Sequence, residues 1–223
     1  MSDTAALIKR LLADEPAFAS SGDFGAHVAQ GRGSGPQVLI GDLSQISLMQ
    51  GLGDPPLDHR IAHLARAGDI LLVRTADPAF ETYLQGYRAI DRLTVLAADP
   101  TDNRPVATQA LTSARLRDPL IAAARAHGGL TLTSYLTTGT IWHLAQEIGT
   151  AAGCTVHVNG PAPRISARTN DKLWFARTAR AVIGDKAVPP TMSAYGPEAA
   201  AALALHLARS GAQVVVKVPD SAG

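Results

Sequence analysis

Apolar residues in this chain follow two rhythms that take turns. Short, nearly continuous runs recur at Gln37 to Gly41 (QVLIG), Asp69 to Thr75 (DILLVRT), Leu93 to Ala97 (LTVLA), Leu130 to Leu136 (LTLTSYL) and Thr155 to Val158 (TVHV). Runs this short, bounded by Gly, Pro or Asp, predict strands buried in a sheet. Between them the apolar positions fall three and four apart. Leu57, Ile61 and Leu64 form one such set, closed by Gly68, and Phe80, Tyr83, Leu84 and Tyr87 form another, opened by Pro78. A third stretch opens at Asp118-Pro119 and ends at Gly128-Gly129, and a fourth carries Ile141, Leu144, Ala145 and Ile148 behind a Thr140 cap. These spacings predict helices.

The alternation predicts an α/β fold, with a Rossmann-like parallel sheet flanked by helices over residues 36–160. Residues 1–35 precede it as a short helix on Leu7, Ile8, Leu11 and Leu12, ending before Pro16, and then a loop from Ser20 to Pro36. That loop is rich in Gly and Ser and is expected to be mobile. Gly160-Pro161-Ala162-Pro163 forms a turn and a module boundary. Residues 161–223 then supply a helix started by Asn170-Asp171 and a proline-marked segment from Val188 to Tyr195. A helix from Pro197-Glu198 to Gly211 and a strand from Gln213 to Val218 follow.

Composition narrows the function classes. The 223 residues are 46% hydrophobic and 17% charged, enough to build a core, and the net charge of +1 exerts no long-range pull on nucleic acid or anionic membrane. A single cysteine, Cys154, excludes a disulfide framework and a Cys-rich zinc site. The opening residues carry Asp14 and Glu15 and do not read as a signal peptide, and no run approaches the roughly 18 apolar residues of a membrane span. A soluble, cytoplasmic protein is expected. One skew stands out: the 20 cations comprise 16 Arg and only 4 Lys, namely Lys9, Lys172, Lys186 and Lys217. In such a chain a Lys marks a place where a compact ammonium suits better than a guanidinium.

Several motifs resolve into ordinary structure. Gly31-Arg32-Gly33-Ser34-Gly35 precedes a strand, whereas a dinucleotide fingerprint follows one and opens a helix, so it reads as a flexible linker. Gly41 to Gly53 follows a strand but lacks the fingerprint spacing, which places a nicotinamide-dependent oxidoreductase last among the readings. His59 and His63 are four apart on a helix, with no HExxH context and no third ligand, and read as partly exposed helix histidines. Cys154 reads as a small core residue in a strand.

The last third is different. Lys172 follows Asn170-Asp171 at a helix start, where a cation opposes the helix dipole and a bound anion would remove the conflict. Lys217 interrupts the apolar strand Val214 to Val218, beside the small-residue turn Asp220 to Gly223. Together, Asn170-Asp171-Lys172, the Val188-Pro189-Pro190 segment, the following helix and the Val214 to Gly223 strand and loop resemble the ATP-grasp superfamily. Its nucleotide-binding part commonly begins with N-D-K and reaches a "vvvKP"-like strand before a glycine-rich loop. The present chain departs at Val218, with Pro219 one position later.

This resemblance implies that residues 36–160 are a pre-ATP-grasp domain and 161–223 an incomplete ATP-grasp α+β subdomain. The arrangement is similar to amino-acid and peptide ligases of the pheganomycin peptide-ligase type. It further implies that Lys172 and Lys217 bind ATP phosphates, that Ser221 and Gly223 begin the covering loop, and that Mg2+ is held by residues outside this chain. The expected substrates are a small-molecule carboxylate and an amine joined through an acyl phosphate, with dimerisation through the N-terminal domain. These residues alone are expected to be inactive, and ligase activity is expected only if the chain continues. The rival expectation is a non-catalytic Rossmann-like binding or assembly module.

Overall fold

The computed structural model describes residues 24–45, 57–90, 92–211 and 213–219, with isolated positions at 5, 6, 9 and 13. Leu7, Ile8, Leu11 and Leu12, on which the first helix is predicted, fall outside them, and the described positions 5, 6, 9 and 13 are helical. Two compact units are present, one over 22–166 and one holding the described residues from Ala167 on.

The first unit is built on six parallel strands: β1 (Val28–Gln30), β2 (Gln37–Ile40), β3 (Ile70–Val73), β4 (Thr94–Ala97), β5 (Leu130–Ser134) and β6 (Val156–Val158). Their order is β1-β6-β5-β2-β3-β4. Every residue of β2 and β3 is buried, which is why these strands read as unbroken apolar runs rather than as alternating ones. Strand periodicity sends Val38, Ile40, Ile70, Leu72, Leu130 and Leu132 to one face. There they meet Ala107, Leu116, Leu120, Ile141, Leu144 and Ile148 from three helices, α2 (Val106–Thr112), α3 (Ala114–His127) and α4 (Gly139–Ala152). The opposite face of β2 and β3 presents Leu39, Leu71 and Val73. These pack on Ile61 and Ala62 of a 3₁₀ helix (Leu57–Leu64) and on Leu84 of α1 (Pro78–Arg88). Each fully buried Leu or Ile contributes about 1.5–3 kcal/mol relative to exposure, so these two layers supply most of the hydrophobic stabilisation of the unit.

Several details depart from the expectations. Part of the predicted loop from Ser20 to Pro36 forms β1, which pairs with β6 from Val28↔Val156 to Gln30↔Val158. The glycine run is not a free linker: the Gly33 amide donates to Thr131 Oγ1 at 3.1 Å, and Gly35, at φ +86°, lies so close to the Gly129 carbonyl that a Cβ would overlap it. Helix α3 starts at Ala114, so Pro119 lies inside it rather than opening it, and Leu116, Leu120 and Ala124 dictate the start by burying one stripe. Thr138, not Thr140, is the N-cap position of α4. Cys154 follows the left-handed Gly153 cap of α4 and lies in a bend before β6, where its thiol faces the Ala124 carbonyl at 3.4 Å.

The second unit continues from the end of α5 (Pro163–Asn170) through α6 (Lys172–Ile183) and α7 (Pro197–Arg209). Neither α6 nor α7 has a buried residue, and Phe175, Ile183 and Leu205 are exposed. The predicted strand from Gln213 to Val218 is absent: the segment has no ladder partner among the described residues, and Val215 and Val216 are 76% and 72% exposed. Val-rich sequence favours extended backbone, but only pairing with a neighbour turns it into a strand.

Two glycines test the packing in opposite directions. A Cβ at Gly41, at the end of β2, would overlap the Asp58 carbonyl, so Gly41→Ala should destabilise the chain by about 1–3 kcal/mol or more in urea unfolding. Gly86, inside α1, has open space where a Cβ would project, so Gly86→Ala should stabilise by about 0.5–1 kcal/mol. Equal effects at the two positions would contradict this packing.

Candidate functional site

Helix α6 begins under full hydrogen-bond control. Asp171 is its N-cap, and one carboxylate oxygen accepts from the Leu173 amide at 2.9 Å and the Trp174 amide at 3.1 Å. The other oxygen pairs with the Arg168 guanidinium at 3.2 Å, and that guanidinium stands 5.4 Å from the Trp174 ring centroid. The first amide of the helix, that of Lys172, donates to the Pro219 carbonyl at 2.9 Å. Of the pair Asn170-Asp171, therefore, Asp171 is the cap, while Asn170 ends the preceding helix.

The Lys172 side chain turns to the same place. Its ammonium donates to the Val218 carbonyl at 3.0 Å and to the Pro219 carbonyl at 3.4 Å, across 46 positions of sequence for the first of these. Lys217 is the residue immediately before Val218 and is exposed. Two of the four lysines thus belong to one neighbourhood, although the segment carrying Lys217 is not in a sheet. Ser221 and Gly223, expected to begin a phosphate-covering loop, lie outside the described residues. The cations suit an anionic ligand such as a polyphosphate. Among the described residues no group of three or more His, Cys, Asp or Glu side chains could hold a metal ion.

The histidine pair belongs to no group of three or more metal-ligating side chains among the described residues. His59 is 3% exposed rather than partly exposed, and its Nδ1 lies 3.1 Å from Asp58 Oδ1. His63 is exposed, and the two rings meet Phe80 edge-on at 5.6 and 5.7 Å between centroids. Asp58 also accepts from the Arg74 amide at 2.8 Å, tying the 3₁₀ helix to the end of β3.

The sheet order reveals a place that motifs do not mark. Connections leave β2 toward β3 and β5 toward β6, in opposite directions, so the crevice outside the carboxyl ends of β2 and β5 is a topological switch point. Tyr135, just past β5, has its hydroxyl pKa pushed up, chiefly by burial; the nearby Arg60 cation and its hydrogen bond pull the other way, and Asp58 adds to the rise. No spacing rule brings positions 58, 60 and 135 together, because only the strand order does.

Residues 58–150 match the family model described as Pre ATP-grasp domain. The matched stretch runs from the 3₁₀ helix almost to the end of α4 and takes in β3, β4 and β5. The matched part of the Rossmann-like sheet is therefore similar to a pre-ATP-grasp domain, the N-terminal part of ATP-grasp superfamily proteins. No curated protein and no solved structure matches the chain. The match ends before Lys172 and Lys217. No helix among the described residues is long and apolar enough to cross a membrane.

Two measurements probe these arrangements. Asp171→Ala should remove about 0.5–2 kcal/mol of helix stability, visible as lost far-ultraviolet helicity at low urea, whereas Asp171→Asn should keep most of it. If alanine and asparagine behave alike, the cap is not holding α6. Arg60→Ala should raise the Tyr135 pKa further in a spectrophotometric titration, since it deletes the opposing cation. A fall would place Arg60 elsewhere.

Proposed function

We propose that the chain supplies the pre-ATP-grasp domain and the opening nucleotide-binding elements of an ATP-dependent carboxylate–amine ligase. The observation that carries this reading is the meeting of Lys172 with the Val218–Pro219 carbonyls beside Lys217. A domain of the pre-ATP-grasp family precedes that pair in the same chain.

In this reading the two ammonium groups neutralise the triphosphate, with Ser221 and Gly223 contributing backbone amides. Phosphoryl transfer depends mainly on such positioning and charge neutralisation. A substrate carboxylate oxygen bonds to the γ-phosphorus while the bridging oxygen leaves with ADP. An amine then attacks the acyl carbon and expels inorganic phosphate, losing its proton as the amide forms. Magnesium, when bound, would supply further neutralisation of phosphate charge, and its ligands are expected outside these residues. The carboxylate and amine are small molecules, and the protein acts in the cytoplasm as a dimer joined through its sheet domain.

Calorimetric titration with ATP and magnesium tests the reading, run on this chain and on one extended past Gly223. Lys217→Ala in the extended chain should weaken ATP about tenfold or more, the scale of one charge-assisted contact. An unchanged affinity counts against the assignment. These 223 residues alone should release no ADP in response to a carboxylate and an amine. Release that depends on both substrates would overturn that part of the proposal.

A further inference from the structure

The three amides that open α6 have no intrahelical acceptor, and the end of the helix attracts negative charge. Two of them are satisfied by Asp171, and the third, from Lys172, by the Pro219 carbonyl. The Lys172 ammonium takes the Val218 carbonyl and reaches the Pro219 carbonyl as well. Two consecutive backbone carbonyls therefore occupy the position where a cation at a helix start calls for an anion, and one lysine grips them with both its main-chain and side-chain nitrogens.

We propose that residues 213–219 form a strap that Lys172 clasps when no nucleotide is bound, and that a phosphate must displace the Val218–Pro219 carbonyls to reach the ammonium. This inference rests on the reading of Lys172 as a phosphate ligand. A carbonyl is a neutral acceptor and a phosphate oxygen a charged one, so the exchange favours phosphate. The clasp nevertheless keeps part of the population closed, and the apparent affinity falls by the open fraction. Binding at Lys172 is thereby coupled to release of the segment that carries Lys217, which frees the second cation to follow the phosphate. The middle of the strap makes this less costly: Val215 and Val216 are largely exposed, so they add little apolar burial to resist its movement.

Inorganic tripolyphosphate is the probe, since it carries the triphosphate charge without a base or sugar. It is titrated by calorimetry into the full 223-residue chain, into Lys172→Met and into Pro219→Gly. Lys172→Met should lose saturable binding. Pro219→Gly keeps both carbonyls but loosens the strap, and should bind about two- to fivefold more tightly, the scale of a proline-to-glycine change in chain freedom. A nitroxide on Val215→Cys, with Cys154→Ser to remove the native thiol, should gain mobility at saturating tripolyphosphate. The same label in Lys172→Met should be mobile from the start. Unchanged affinity in Lys172→Met overturns the phosphate reading and the strap with it. Lost binding in Lys172→Met together with no tightening in Pro219→Gly leaves that reading standing and overturns the strap. Should Pro219→Gly fail to fold, an unchanged nitroxide line shape at saturation overturns the strap instead.

Discussion

A parallel sheet forces each strand to be followed by a segment that climbs back to the starting edge, and it leaves two faces that both need cover. Here that constraint acts through β2, the strand from which the chain winds outward in both directions. All four of its residues are buried. On one side it pairs with β3 from Val38↔Ile70, and on the other with β5 from Gln37↔Thr131. Its carboxyl end ties the neighbouring layers together: the Asp42 carboxylate accepts from the Val106 amide at 2.6 Å and from the Ser44 amide at 2.8 Å, fixing the start of α2. Its amino end is tied as tightly, because the Gln37 amide donates to Asp69 at 2.8 Å. Moving β2 would disturb both apolar layers and both connections at once.

That arrangement explains which parts of the fold are legible in the sequence. Strands buried on both faces are mostly apolar, so β2 and β3 stand out as runs; buried Gln37, Thr131 and Thr133 are tolerated because their polar groups are hydrogen-bonded. Helices α1 and α4 show the helical period because each lies on the sheet along one stripe. The short elements are hidden for a physical reason. β1 has three residues and owes its existence to the edge of β6, a partner more than a hundred positions away. Helix α2 has no apolar period long enough to detect, because buried Gln109 spends its side chain on the carbonyls of Asp102 and Arg104 and on the Asp99 amide. Those bonds hold the loop after β4, and no local pattern announces them.

The second unit shows the reverse case, in which the local signal is strong and the structure does not fulfil it. Val214 to Val218 has the composition of a strand, yet its residues lie exposed and unladdered among the described residues. Capping follows the sequence more faithfully than pairing does, since a cap needs only three neighbouring residues. Asp171 accordingly takes its place at the start of α6, as its residue type suggests. The cation next to it was legible only as an electrostatic conflict. A lysine at the positive end of a helix requires negative charge or its equivalent nearby, and the carbonyl oxygens of Val218 and Pro219 provide it.

The scarcity of lysine gives this last contact its meaning. Arginine serves as the general surface cation of the chain, and its planar fork suits fixed geometries such as the Arg74 contacts to the Asp102 and Arg104 carbonyls. An ammonium offers three donors that can rotate, so it can exchange one oxygen for another without rebuilding its surroundings. Lys172 holds two carbonyls in that adaptable way, at a helix start where the adjacent carboxylate is already committed to amides and to Arg168. An arginine there would hold the carbonyls more rigidly and yield them less readily. In the proposed strap, a lysine thus suits a contact that must exchange one oxygen for another.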